Sequence, residues 1–137
     1  MHTLSLFPSL LDYQMLGIFM LRITLGLIFV YFWYEKVTHQ RAERIEFFEK
    51  LGLRPAKAYF AVISSLEGMA GTLLVVGLYT QGAAIVTGSL MILATITKWR
   101  KPEALHRNTI EFYIILAIAS FALLFLGPGA FAIDLPL

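Results

Sequence analysis

The chain has 137 residues, of which 58% are hydrophobic and only 15% charged, a balance far from that of a soluble domain, while the length suits a single domain. The net charge of +2 is segregated along the chain rather than spread over a surface, so it points to no nucleic-acid partner. The absence of cysteine excludes a dithiol or disulfide relay, a thiolate zinc site and a cysteine-ligated iron–sulfur cluster.

Residues 1–13 are largely apolar and carry no Lys or Arg, so they lack the basic start and small-residue cleavage site of a secretory signal peptide. Residues 4–11 are expected to lie in the membrane interface, with Ser9 or Asp12 capping the helix that follows. The first span is expected over residues 16–34, interrupted only by Arg22. At 1.5 Å per residue it covers about 28 Å, close to the roughly 30 Å of a hydrocarbon layer. Trp33 and Tyr34 end it as an aromatic belt, and Glu35 and Lys36 mark the water.

A polar segment over residues 35–57 follows. At about 100° per residue, Ile45, Phe47, Phe48 and Leu51 share one arc, and Arg44 falls within it. Glu43, Glu46, Glu49 and Lys50 fall outside. This spacing predicts an amphipathic helix over 41–51, lying on the membrane or over the bundle, with Gly52 as its stop and Pro55 as the start of the next helix.

The second span is predicted over residues 58–79 and the third over 82–97, joined by Thr80 and Gln81 in a tight antiparallel hairpin. At 16 residues the third is short, and the stem of Lys98 would have to snorkel to lengthen it. A basic, polar stretch over 98–108 leads to a fourth span over 110–126, which Gly127-Pro128-Gly129 ends. Glu111 suits the first turn of that helix, with Arg107 one turn away. The fold class is therefore all-α: a four-transmembrane-helix bundle with an amphipathic helix between its first two spans, forming one membrane domain.

Ten of the 11 Lys and Arg residues lie in the two segments 36–57 and 98–107, while the ends of the chain and the Thr80-Gln81 turn carry none. With four spans these segments share one side, which the positive-inside rule makes cytoplasmic. The expected location is the plasma (inner) membrane, with both termini outside. The basic segments would also attract anionic lipid headgroups.

Two charges stand inside apolar runs, Arg22 and Glu67, and a charge at such depth normally faces the protein interior and a partner. Gly26 follows Arg22 by four residues, and Ser64 and Gly71 bracket Glu67 at three and four, so small residues share each face. The two are expected to form a buried ion pair or a polar ligand site between the first two spans, with Gly26 and Gly71 letting the backbones approach. Counted from the cytoplasmic ends they lie at about 18 and 14 Å, whereas counted from the outer ends they differ by about 9 Å. His39 and His106 lie in loops and His2 at the far end, short of a metal or haem ligand set. No nucleophile–base pair, metal cluster or nucleotide loop is recognisable.

Four stretches resemble the DoxX family of small membrane proteins. They are Leu21-Arg22-Ile23-Thr24-Leu25-Gly26-Leu27-Ile28-Phe29 with Lys36 beyond it, and Leu51-Gly52-Leu53-Arg54-Pro55. The third is Leu66-Glu67-Gly68-Met69-Ala70-Gly71 with Leu73-Leu74-Val75-Val76-Gly77-Leu78, and the fourth Leu126-Gly127-Pro128-Gly129-Ala130-Phe131-Ala132-Ile133-Asp134. The resemblance implies a four-helix membrane protein whose polar family positions are Arg22, Lys36, Glu67 and Asp134. Some members are associated with quinone-linked oxidation of sulfur compounds or with membrane oxidoreductase complexes, and the family supplies no catalytic role for these residues. The expected function is an accessory subunit of a membrane redox complex, with a quinone as the implied cofactor and other redox subunits as partners. The alternative is a small transporter or lipid-binding module that uses Arg22 and Glu67 as its polar site.

Overall fold

The computed structural model describes residues 6–104 and 108–134. Five α-helices follow in order: α1 (Gln14–Thr38), α2 (Arg41–Lys50), α3 (Ala56–Val76), α4 (Thr80–Arg100) and α5 (Ile110–Leu126). A 3-10 segment, Pro8–Tyr13, runs directly into α1, so neither Ser9 nor Asp12 caps it; the capping residue is Tyr13, which makes no side-chain cap bond. α1, α3 and α4 are long and apolar enough to cross a membrane, and α5 is a shorter apolar helix of 17 residues. Large apolar side chains such as Met20, Leu27, Val62, Met69, Ile115, Ile118 and Phe125 point outward and are more than half exposed. Such a surface is matched to lipid rather than water. The chain is thus a helical membrane bundle, as its composition predicts.

The third span is longer than the apolar run suggests. α4 begins at Thr80 and ends at Arg100, 21 residues or about 31 Å, with Lys98 and Arg100 in its last turn. The turn falls earlier than expected. α3 stops at Val76 because Gly77 takes a left-handed conformation, φ 75°, and its N–H and that of Leu78 both return to the Leu73 carbonyl. Thr80 and Gln81, read as the connecting turn, are instead the first residues of α4.

α1 packs along α3, α3 along α4 and α4 along α5, with α5 returning to touch α1. The buried core runs through the middle of all four, from Leu25 and Phe29 on α1 through Leu74, Ala84 and Met91 to Leu116 and Leu123 on α5. The α1–α3 crossing is the tightest. A Cβ placed on Gly26 would lie 2.8 Å from the Val75 amide nitrogen and 2.9 Å from the Gly71 carbonyl oxygen, and one on Gly71 would lie 3.0 Å from the Val30 nitrogen. Glycine at both positions is what lets the backbones meet, as expected of small residues at a membrane crossing.

The two helices are staggered. Because Arg22 sits beside Leu74 and Val75, near the end of α3, residues 14–21 project about 12 Å beyond it. The tail after α5 packs against that projecting piece: the Ala130 N–H donates to the Met15 carbonyl at 3.1 Å, and Phe131 meets Phe19 edge-on at 5.4 Å. α2 takes up the expected amphipathic position against α3 and the end of α1. Ile45, Phe47, Phe48, Leu51 and Arg44 are partly buried, while Glu43, Glu46, Glu49 and Lys50 are exposed.

Replacing Gly26 with Ala should cost about 1–3 kcal/mol, because the added methyl meets backbone atoms that have nowhere to move. Gly17, on the same helix, has open space around it, and Gly17→Ala should leave stability unchanged or raise it by about 0.5–1 kcal/mol. Thermal unfolding of the two variants in detergent separates these outcomes.

Candidate functional site

The charged residues inside the bundle form two clusters, one at each end of the α1–α3 crossing. Arg22 and Glu67 belong to different ones, so the expected ion pair between them is not made. The reason is the stagger. Arg22 lies opposite Leu74 and Val75, seven and eight residues beyond Glu67, or roughly 10–12 Å along α3. Depths counted from helix ends mislead when one helix overshoots the other.

In the first cluster Arg22 is fully buried. One guanidinium nitrogen, Nη1, donates to the Leu74 and Val75 carbonyls at 2.9 and 3.2 Å, and Nη2 donates to the Ala130 carbonyl at 3.1 Å. The last carbonyls of a helix have no partner within it, and in lipid no water replaces that partner. Arg22 supplies it for two of them and ties the tail to the same spot. Its guanidinium carbon also lies 5.5 Å from the Phe19 ring centroid, a cation–π contact.

Asp134 completes this end from the tail. Its carboxylate accepts from the Tyr79 and Thr80 amides at 2.7 and 2.6 Å, and its own N–H donates to the Gly77 carbonyl at 2.8 Å. The carboxylate thereby caps the N-terminus of α4, a task no local side chain performs. Burial by itself raises the Asp134 pKa, but the two amide donors and the nearby Arg22 charge more than offset that and hold it below the ordinary carboxylate value. Asp134 is spent on backbone amides, and Arg22 gives both terminal nitrogens to backbone carbonyls while its Nε is buried without a partner.

The second cluster joins α1 to α3 at the other end. Lys36 Nζ donates to Glu67 Oε2 at 2.6 Å, with the Glu67 side chain 1% exposed and that of Lys36 22%. A short charge-assisted contact of this kind balances much of the cost of burying a carboxylate. The other carboxylate oxygen, Oε1, is buried and has no hydrogen-bond partner. A buried acceptor left unpaired costs on the order of 1–3 kcal/mol. Trp33 closes one side, packed so near Gly68 that a Cβ there would lie 2.7 Å from its ring.

Lys36 and Glu67 line a cavity of about 420 Å³ between the bundle and α2. Its walls include Tyr31, Phe32, Phe47, Phe48 and Tyr113, together with Ile63, Leu90 and Met91. Arg44 also lines it, directed to the neutral side-chain oxygen of Gln40 at 3.2–3.3 Å. Among the described residues Arg44 forms no ion pair. A volume of this size with aromatic walls and a few polar groups is typical of a small-molecule site.

Sequence reading placed Lys36 at the water boundary and missed it as the partner of Glu67. A signal was present, since Lys36 follows Arg22 by 14 residues and therefore shares its helix face. The arc of α2 was legible, but not the space it roofs. His2, His106 and Arg107 lie outside the described residues, and with Arg107 the expected neighbour of Glu111. His39 is exposed and 2.7 Å from the Thr38 hydroxyl. Among the described residues no group of three or more His, Asp or Glu comes together as a metal site.

These contacts predict which charges are coupled. Lys36→Gln or Glu67→Gln alone should destabilise the bundle by up to about 3–5 kcal/mol, and the double variant by clearly less than the sum. Arg22→Gln combined with Glu67→Gln should instead add within about 0.5 kcal/mol, since the two sites share no partner. Unfolding free energies in detergent give both couplings, and a larger one for Arg22 with Glu67 would contradict the arrangement.

No curated protein and no solved structure matches the chain. The DoxX family model matches residues 17–99, which include Arg22, Lys36 and Glu67 but not Asp134. That match covers more than half of the chain, and the chain is a membrane protein of the DoxX family.

Proposed function

We propose that this protein is an accessory subunit of a membrane oxidoreductase complex and that its cavity holds the headgroup of a quinone. The observation that carries the proposal is the aromatic cavity of about 420 Å³ in which the Lys36–Glu67 pair provides the polar contact. A quinone ring is planar and largely apolar with oxygens at its edge, so it calls for stacking surfaces and a few polar groups. Phe32, Phe47, Phe48 and Tyr113 supply the first, and Lys36 and Glu67 the second. The unpaired Glu67 Oε1 is a buried acceptor, which the hydroxyl of the reduced ring would satisfy. When bound, the quinone supplies the electron-transfer chemistry. This chain's residues hold its ring, exclude water and position its oxygens.

The other reading, a transporter or lipid-binding module, draws on Arg22 and Glu67 as one polar site. Their separation by about two helical turns, with Arg22 committed to three carbonyls, weighs against it.

Protein extracted in a mild detergent should retain quinone, measured by mass spectrometry of the organic extract. Ala94→Phe, which places a ring in the cavity, should remove most of it. Retention no greater than that of an unrelated membrane protein in the same detergent would sink the proposal.

We further infer that the protein lies in the plasma membrane with both termini outside, from the ten basic residues gathered in segments 36–57 and 98–107. The cavity then sits at the cytoplasmic side, beside Lys36 and α2. A reporter active only in the cytoplasm, fused after Leu137, should be silent, and activity there would reverse the orientation.

A further inference from the structure

We propose that the cavity selects the reduced, hydroxyl-bearing form of its ring ligand over the oxidised carbonyl form. This rests on the quinone reading above and adds a direction to it.

The inference starts from the donors and acceptors that Lys36 and Glu67 have left. Glu67 Oε2 accepts from the Lys36 ammonium at 2.6 Å in an ion pair. An ionised carboxylate only accepts hydrogen bonds. Its Oε1 is buried and without a partner, so the empty role is that of a donor. The Lys36 ammonium has three protons, of which one is directed to Oε2. The pair therefore offers a ligand oxygen one donor and one acceptor, side by side.

A hydroxyl satisfies both at once, accepting from Lys36 and donating to Oε1. A carbonyl oxygen satisfies only Lys36. It would leave Oε1 unpaired and set two acceptors against each other at a carboxylate that is itself buried, where such a mismatch is costly. The aromatic walls do not discriminate, because Phe32, Phe47, Phe48 and Tyr113 present ring surface to either form, and the polar lining of Gln40, Arg44, Thr97 and Asn108 can donate to either. At the Lys36–Glu67 pair the choice falls to Oε1. A preference for the hydroxyl form places this subunit where a quinone-reducing reaction delivers its product or a quinol-consuming one draws its substrate.

Duroquinone and duroquinol share one carbon skeleton and differ in that the quinone oxygens only accept while the quinol hydroxyls also donate. Their affinities for the full-length protein in detergent, measured anaerobically, test the proposal. Duroquinol should bind at least about tenfold more tightly, the effect of one hydrogen bond to a charged group. In Glu67→Gln the amide can turn either its oxygen or its nitrogen to the ligand, so the two affinities should converge to within about threefold. If that variant fails to fold because Lys36 is stranded, Lys36→Gln combined with Glu67→Gln leaves no charge unpaired and should show the same convergence. Equal affinities in the native protein, or tighter binding of duroquinone, would overturn the selectivity and leave the quinone reading standing. Binding of neither would remove both. A tenfold preference that survives in the variants would take the role away from Glu67.

Discussion

The guanidinium of Arg22 has to be satisfied inside a layer that contains no water, and much of the bundle follows from how that happens. The acceptors it finds are the Leu74 and Val75 carbonyls at the end of α3 and the Ala130 carbonyl of the tail. To reach them, α1 must lie against α3 with almost no side chain between, which Gly26 and Gly71 allow. To have carbonyls free, α3 must end there, and Gly77 ends it. The Gly77 position is itself closed, because a Cβ there would collide with Arg22 and Ala132. Asp134 then extends the same cluster to the first amides of α4. One buried cation thus sets the register of α1 on α3, the place where α3 stops and the path of the tail.

The two polar clusters differ in what they leave over. Around Arg22, both terminal guanidinium nitrogens go to three carbonyls and Asp134 to two amides; Arg22 Nε and Thr80 Oγ1 are buried without a partner but do not line the cavity. A charge whose terminal nitrogens are committed in this way stabilises the fold. Around Glu67, the pair itself is tight but half of the carboxylate is unused, and it borders a cavity. Retaining a buried acceptor without a partner lowers stability. It is understandable where a ligand makes up the missing bond.

How much of this was legible in the sequence depended on the range of the interaction. Composition and apolar run lengths were sufficient for the membrane bundle, and the 100° arc of Ile45, Phe47, Phe48 and Leu51 for the buried face of α2. The small residues beside Arg22 and Glu67 marked the close crossing correctly. The pairing across it was not legible, because apolar runs reveal helix lengths and not their relative slide. A stagger of two turns moves Arg22 from Glu67 to the end of α3 and brings Lys36 into reach instead. The start of α4 was misread for a related reason. Thr80 and Gln81 look like a turn, and what makes them helical is a carboxylate 54 residues away. Local propensity carries no trace of that contact.

The position of α2 explains how a four-helix bundle of this size comes to have a cavity at all. α3 extends past the end of α1 on this side, as α1 overshoots α3 on the other, so the stagger leaves a notch beside Lys36. A helix hydrophobic enough to span could not fill it, since both ends of the connection must return to the polar side. A ten-residue helix with one apolar arc can cover it while keeping its acidic face wet. Phe47 and Phe48 then cap the notch without reaching its floor, and the space they leave is the one Glu67 borders. The stagger that Arg22 enforces at one end of the crossing therefore creates the cavity at the other. The residue committed to the fold and the residue with capacity to spare are linked through a single geometric offset.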